Sequence, residues 1–450
     1  MKLLLFISAL VIGFLLIRKK GYERFELLFV ASVFYPLVAA YPFSGLGGHT
    51  FFLVCCFISI VEHDEYKQIK KMPLIVLLLF MLASYYMTGI MDDRISLFSK
   101  FYKPTITFLR QYGILMIGFC TPMTVKDWNN FFRLLNKVVI VLTFYGLLTL
   151  LIGEDPVSMM VADAIGIRHQ GFFPVSSARV RICSFMFDSF LYGFFNCVIC
   201  VLYTYLYFKR GLSSLERVAL LCGVASVLLS GSRSMLAGMM IGVAVIVLWG
   251  LKSSRIATVA LLAVISVPLL LQVPSVRGKI SFFTDVVELD GGNTGGSSLD
   301  MREIQLEISL AYYEKKPIWG NGFDYYAEVL KSDEILIRKE GLYGAESYLF
   351  HLLIDRGLVE IILITSYVLL SLLYMFVVLR PRYKLESSLA ASLYVTFIAV
   401  SLMTGNYGMW IFCMPLIGIM YNQYNVKALA MMRAENGYKT TFKIDTITSI

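Results

Sequence analysis

The sequence predicts an all-α polytopic membrane protein with about 12 to 14 transmembrane helices (about 13 preferred) and one large extracytoplasmic loop. Two observations predict this class. Of the 450 residues, 58% are hydrophobic and 16% are charged, whereas soluble proteins carry about 25% charged residues. The apolar residues also form blocks, each close to the length that crosses a hydrocarbon layer of about 30 Å. A soluble core could not bury this much apolar surface.

The apolar blocks define the predicted spans. The first could pass for a signal peptide, but its basic cluster follows the apolar run and no small-residue cleavage site is present. We therefore interpret it as a retained helix. Several blocks are shorter than about 20 residues and need flanking residues to cross the bilayer. The predicted spans are 2–17, 24–43, 47–61, 72–90, 105–120, 138–153, 182–208, 216–230, 233–251, 256–273, 357–379, 387–404 and 408–424.

Lysine and arginine clusters orient these spans, because cytoplasmic junctions carry the excess of positive charge. Alternate junctions hold such clusters, beginning at Arg18, Lys67, Lys126, Lys209, Lys252 and Arg380. The full set of spans then places the N-terminus outside and the C-terminus inside; if the first span lies in the interface, the N-terminus moves inside. The predicted organisation is a membrane domain of the first ten spans (1–273), the large extracytoplasmic loop with short helices (274–356), the last three spans (357–424) and a cytoplasmic tail (425–450).

Arginines at the predicted outer interface are candidate ligand-binding residues. Arg233 lies in a two-residue turn between spans, and Arg181 lies where Ile182 starts a span. Arg302 lies in a helical-looking run, about 299–314, which ends before Lys315-Lys316-Pro317. Arg110 lies inside the fifth span, where an ionisable residue is a functional candidate. The planar fork of arginine matches phosphate geometry, so a large anionic ligand is predicted. Snorkelling to headgroups or a buried ion pair is the alternative.

A second candidate cluster closes the large loop. It comprises Pro317–Phe323, with glycines at 320 and 322 that permit close backbone approach, and Tyr343–Leu349. Glu346 opens an amphipathic stretch that leads into the next span, and a helix cap is its alternative role. The candidate substrate-binding residues are Arg302, Arg179, Arg168, Gly320, Gly322 and Tyr343.

The sequence contains no pattern typical of a metal, cofactor or nucleic-acid site. No histidine pair has metal-ligand spacing and no phosphate-binding loop is present, so no metal or cofactor is predicted. The absence of a basic stripe with interleaved aromatics argues against nucleic acid.

Three segments, in order, resemble the O-antigen polymerase (Wzy) and O-antigen ligase superfamily. They are Arg181-Ile182-Cys183-Ser184-Phe185, then Ser230-Gly231-Ser232-Arg233-Ser234, then Pro317 to Phe323 followed by Ala345 to Gly357. The likeness extends over about residues 165–405. It implies a glycosyltransferase in the bacterial cytoplasmic (inner) membrane that acts at the outer face on an undecaprenyl-pyrophosphate-linked oligosaccharide, among membrane lipids. A chain-length regulator and a flippase are the implied partners.

Within this resemblance, the polymerase branch is favoured. Ligases carry a His-Asn pair where this chain has Ala345-Glu346, and that histidine is their presumed base. The resemblance then implies a catalytic set of Glu346, Arg233 and Arg181, without a metal. The alternatives are an O-antigen ligase or protein O-oligosaccharyltransferase, and a lipid-linked glycan transporter. Transporters tend to show internal repeats, and no convincing repeat relates the halves of this chain.

Overall fold

A computed structural model describes residues 2–35, 48–165, 181–186, 188–251, 299–326, 347–405 and 410–435. Every regular element in these ranges is a helix, as the sequence predicts. The α-helices are α1 (Lys2–Arg18), α2 (Gly21–Phe34), α3 (Gly48–Glu62), α4 (Ile75–Ile90), α5 (Leu97–Phe108), α6 (Ile114–Phe119), α7 (Val125–Ile152), α8 (Pro156–Ile165), α9 (Ser189–Arg210), α10 (Ser214–Leu229), α11 (Arg233–Val245), α12 (Leu299–Lys315), α13 (Tyr348–Asp355), α14 (Gly357–Tyr374), α15 (Lys384–Thr404) and α16 (Trp410–Glu435). Short π turns (Leu109–Gly113, Ile246–Gly250 and Met375–Leu379) and 3₁₀ turns (Glu65–Lys71 and Ser184–Met186) join or extend them.

Five helices in the described ranges are long and apolar enough to cross a membrane. They are α7, α9, Arg233–Gly250, Gly357–Leu379 and α15. The 3₁₀ turn Glu65–Lys71 and α4 would together form one more span, bent by 100°. The multi-pass helical class is therefore confirmed, whereas the preferred number of spans stays a prediction. The predicted span 256–273 lies outside the described residues.

Small residues let the helices approach closely where they cross. A Cβ on Gly118 of α6 would lie 2.1 Å from the carbonyl oxygen of Pro415 in α16. Gly238 and Gly242 form a G-x-x-x-G in α11 that packs on α15, where the Ser392 hydroxyl donates to the Gly242 carbonyl at 2.6 Å. Such small-residue faces are typical of helix pairs in membranes, where close van der Waals packing replaces the hydrophobic driving force.

Two helix boundaries differ from the predicted spans. The predicted span 182–208 begins as a helix only at Ser189, because the Asp188 carboxylate accepts hydrogen bonds from the backbone N–H groups of Phe190 and Leu191 and caps the helix there. The predicted span 138–153 belongs to a longer helix, α7, which starts at Val125 behind a capping box of Thr124 and Asp127. Hydropathy locates the apolar part of a helix, whereas caps decide where the helix begins.

The described part of the segment predicted to be the large loop, which keeps that name below, is helical. The run predicted at about 299–314 is α12, and it ends at Lys315 before Pro317. The second helix, α13, leads into the span that begins at Gly357. Both helices pack on each other through a small apolar cluster of Tyr312, Tyr326, Phe350 and Ile354. The loop therefore carries a core of its own beside the membrane bundle.

Candidate functional site

The turn between α10 and α11 presents Arg233. Helix α10 ends at Leu229 and α11 begins at Arg233, so the predicted turn is present at this place but has three residues, Ser230 to Ser232, instead of two. The Ser230 hydroxyl donates to the Val227 carbonyl at 2.7 Å and closes the last turn of α10. A cation at the first position of a helix faces the positive end of the helix dipole. An anion bound at this end would relieve that repulsion.

Arg181 belongs to a segment that lies against the same turn. The backbone N–H of Ile182 donates to the Leu229 carbonyl at 3.2 Å. The guanidinium carbon of Arg181 lies 5.3 Å from the ring centroid of Phe190. Its Nε atom is buried and has no hydrogen-bond partner among the described residues. A buried guanidinium N–H without an acceptor is costly, which favours a ligand acceptor at this position.

A buried carboxylate that the sequence analysis missed holds this segment in place. Asp155 is fully buried and accepts hydrogen bonds from the hydroxyls of Tyr145 at 2.7 Å and Ser158 at 2.6 Å. The Cys183 thiol also donates to it at 3.4 Å. Burial, and then the Asp155 carboxylate, raise the pKa of the Cys183 thiol, so Cys183 is a neutral donor. The only sequence signal was Asp155-Pro156 at a helix start, which predicts a cap and nothing more.

Arg302 contacts the last turn of α15, and this turn lies at the same end of the bundle as Arg233. Its Nη2 atom donates to the Met403 carbonyl at 3.1 Å. A Cβ on Gly238 would meet Val400, and one on Gly242 would meet Thr396, so α11 and α15 run antiparallel. Continuing that pairing places Arg233 opposite the last turn of α15. The backbones of Arg181, Arg233 and Arg302 therefore lie at one end of the bundle, which we call the arginine end.

The second sequence cluster forms a tight junction between the large loop and the start of α14. Backbone N–H groups of Asn321 and Gly322 donate to the carbonyls of Ile354 and Asp355 at 3.0 and 3.1 Å. A Cβ on Gly320 would lie 2.4 Å from the backbone of Asp355 and Arg356. Gly320 and Gly322 have φ of +71° and +115°, which favour glycine. Their close approach is to protein backbone, and a contact with substrate stays a prediction.

Beneath this junction lie two buried ionisable side chains, Arg356 and Glu360, that the sequence analysis also missed. The Arg356 guanidinium lies between two aromatic rings, with its carbon 3.9 Å from the Phe323 centroid and 4.3 Å from the Tyr85 centroid. One helical turn further, buried Glu360 accepts a hydrogen bond from the Ser84 hydroxyl at 2.5 Å. Opposite charges four residues apart at the start of an apolar span were the available signal. The pair ties the large loop to α4.

Four predicted site residues, Glu346, Tyr343, Arg168 and Arg179, lie outside the described residues. Ser347 follows Glu346 and caps α13, because its hydroxyl accepts from the Leu349 N–H at 3.3 Å.

The helical bundle with a cluster of arginines at one end defines the class as a multi-pass membrane protein with an anion-binding candidate site. Comparison with known proteins adds a family likeness: residues 218–365, about a third of the chain, match the family model described as O-Antigen ligase (Wzy_C). This match confirms the resemblance to the O-antigen ligase and polymerase superfamily. It includes Arg233, Arg302 and the junction at Gly320. No curated protein matches the chain.

Proposed function

We propose that this protein is a repeat-unit polymerase for a surface polysaccharide, of the O-antigen or capsule type. It would transfer a glycan from undecaprenyl pyrophosphate onto a new lipid-linked repeat unit, at the outer face of the bacterial inner membrane. About 13 spans with the arginine end outside fit this orientation. The observation that carries the proposal is the placement of Arg181, Arg233 and Arg302 at one end of the bundle. The match of residues 218–365 to the O-antigen ligase family model supports the reaction class.

The proposed chemistry is a displacement at the anomeric carbon of the donor glycan. The bond from that carbon to the pyrophosphate oxygen breaks, and a bond to an acceptor hydroxyl oxygen forms. Arg181 and Arg233 stabilise the charge that develops on the departing undecaprenyl pyrophosphate, as fixed donors aimed at a leaving group do. Arg302 helps to hold donor or acceptor. Glu346 takes the proton of the acceptor hydroxyl, because a partly desolvated carboxylate is basic enough for this role.

An O-antigen ligase is the second candidate, because the matched family model is described by that name. In a ligase the glycan passes to lipid A-core instead of a lipid-linked repeat unit. Ala345-Glu346 stands where the family's ligases carry His-Asn, and this difference favours the polymerase.

The test is a chain-length assay with the purified protein and its lipid-linked oligosaccharide. Arg233→Lys keeps the charge but loses bidentate geometry, so we expect polymer formation to fall about 10- to 100-fold. Arg217→Lys, an exposed residue near the other end of α10, is the matched control and should keep the wild-type rate. Wild-type polymerisation by the Arg233→Lys protein would refute the arginine clamp.

The glycan acceptor separates the candidate functions. A polymerase extends lipid-linked repeat units into a ladder, and a ligase moves the glycan only when lipid A-core is supplied. A transporter does not lengthen the glycan with either acceptor. Glu346→Gln should abolish the ladder while leaving lipid-linked substrate bound, and an undiminished ladder from this variant would remove Glu346 as the base.

A further inference from the structure

Arg110 is an exposed arginine in the part of the chain that the sequence predicts to be the fifth span. Helix α5 continues through the π turn Leu109–Gly113 into α6, which gives an unbroken helical run from Leu97 to Phe119. At about 1.5 Å per residue this run is long enough to cross the hydrocarbon layer. Arg110 lies in the π turn and its side chain is exposed. Single π turns inside helices occur often at functional sites, and the function proposed above does not use Arg110.

The surroundings of Arg110 form a cationic face. Its Nε atom donates to the Thr50 hydroxyl at 2.5 Å, which fixes the guanidinium against the first turn of α3. Lys103, seven residues earlier, shares the same side of the helix. The Lys103 ammonium lies 3.8 Å from the Asp324 carboxylate, and that carboxylate is 54% exposed. Among the described residues, this face therefore carries the two cations Arg110 and Lys103, with the partly exposed carboxylate of Asp324 beside Lys103.

Arg110 lies close enough to the end of α4 for its side chain to reach a lipid phosphate at the membrane interface. Helices α4 and α5 run side by side in opposite directions, since Gly89 of α4 approaches the Lys100 carbonyl and Pro104. The Gln111 side chain accepts a hydrogen bond from the Tyr85 hydroxyl. Tyr85 lies five residues before the end of α4 at Ile90, so Arg110 lies roughly 8 Å below that end. A long arginine side chain at this depth reaches the interface where lipid phosphates lie.

The large loop connects this face with the arginine end. Arg302 at the beginning of α12 binds the Met403 carbonyl at the arginine end. Beyond α12, Asp324 contacts Lys103. The neighbouring Tyr325 ring lies under the guanidinium of Arg94, 4.6 Å from its carbon. One folded segment therefore touches two separate groups of cations, one on each side.

We propose that Arg110 and Lys103 form a second anion site, which binds the pyrophosphate of a second lipid-linked glycan entering from the bilayer. The inference rests on the proposed function, because a polymerase must hold two such lipids at once. Exposed apolar side chains near the beginning of α5, Leu97, Phe98 and Phe101, offer a surface to the lipid tail. Asp324 leaves Lys103 when the pyrophosphate arrives, so occupancy of this site is coupled to the large loop.

The test counts bound lipids on the full-length protein by native mass spectrometry, with a long-chain polyprenyl pyrophosphate as the probe. We expect two bound molecules on the wild type, and one on either Arg110→Gln or Arg233→Gln. Lys103→Gln leaves the helix intact and should weaken one of the two sites about tenfold, as the loss of one charged contact does. Lys316→Gln removes an exposed cation of the same loop and should keep both molecules.

The outcomes separate this inference from the function on which it rests. Two bound molecules on both Arg110→Gln and Lys103→Gln overturn the second site. A single molecule on the wild type that only Arg110→Gln removes keeps the second site and refutes the clamp at Arg233. Phosphatidylglycerol supplied as competitor distinguishes the sources of phosphate. If it displaces the probe from the Arg110 site at equal concentration, the site is a phospholipid headgroup site and the inference fails.

Discussion

At the scale of single residues, burial in the fold changes the pH at which the Asp355 carboxyl loses its proton. Its carboxyl is buried beside Arg356 and accepts a hydrogen bond from the Tyr326 N–H at 2.9 Å. Burial raises the pKa of Asp355 from 3.8 to about 7, even though the Tyr326 N–H and Arg356 act to lower it. The folded protein therefore holds this proton over a pH range in which the unfolded chain has released it.

The raised pKa of Asp355 makes the free energy of unfolding depend on pH. Between about pH 4 and pH 7 the folded state binds more protons than the unfolded state, so the free energy of unfolding falls as pH rises, by at most about 1.4 kcal/mol per pH unit. We expect Asp355→Asn to make this slope smaller than in the wild type. Thermal denaturation in detergent from pH 5 to pH 8 measures it. Glu314→Gln, at an exposed carboxylate of α12, is the control, and an equal slope in Asp355→Asn and wild type contradicts the prediction.

At the scale of elements, the junction between the loop and α14 depends on glycine for two separable reasons. Gly320 has φ of +71° and also touches the backbone of Asp355 and Arg356. Gly153 at the end of α7 has φ of +81° and has nothing near a Cβ. Gly153→Ala should cost only the left-handed strain, about 1–2 kcal/mol. Gly320→Ala adds a clash with backbone atoms, which cannot rotate away as a flexible side chain can.

We therefore expect Gly320→Ala to separate the loop from the bundle, whereas Gly153→Ala only lowers the denaturation temperature. Limited proteolysis distinguishes the two variants, because cleavage between α12 and α13 should become faster in Gly320→Ala alone. Equal cleavage of the two variants would mean that the strained φ, and not the close approach, makes Gly320 necessary.

The elements also show what could be predicted from the sequence. The position of the turn before Arg233 and the end of α12 at Lys315 were predicted correctly, because each depends on local signals: a short polar break between apolar runs, and a following proline. The start of α9 was predicted too early, because Ile182 to Met186 is apolar but is held by the contacts of Asp155 and Leu229. Those contacts join residues far apart in the chain, and no periodic pattern reports them.

The candidate site also contains residues that could be predicted from the sequence and residues that could not. Arginines beside apolar runs are conspicuous, so Arg181, Arg233 and Arg302 were found. Asp155 was not found, because a lone carboxylate near a helix start is indistinguishable in sequence from an ordinary cap. Glu360 was not found either, because an arginine four residues before a glutamate is also common on exposed helix faces. Their burial appears only when α7 and α8, or α4 and α14, are packed together. Positions that depend on tertiary burial need the structure.

At the scale of the whole molecule, the segment that matches the family model is not a self-contained unit. Within 218–365, α11 packs on α15, which begins at Lys384. Helix α10 packs on α7, where the hydroxyls of Thr143 and Ser226 lie 2.8 Å apart. Arg302 binds the Met403 carbonyl, again outside the matched segment. Helices α10 and α11 thus have their main packing partners outside the matched segment, and Arg302 of α12 makes its hydrogen bond there as well.

A fragment of residues 218–365 should therefore form helices in detergent micelles without forming the tertiary fold. Helix formation needs only backbone hydrogen bonds inside each segment, whereas the arginine end needs α9 and α15. We expect the fragment to show helical circular dichroism, no cooperative thermal transition and rapid proteolysis. A fragment of 125–405, which restores α7, α9 and α15, should recover protease resistance around Arg233. If the 218–365 fragment resists protease as well as the longer one, the contacts of Arg302 and α11 with α15 do not hold the arginine end together, and the matched segment folds by itself.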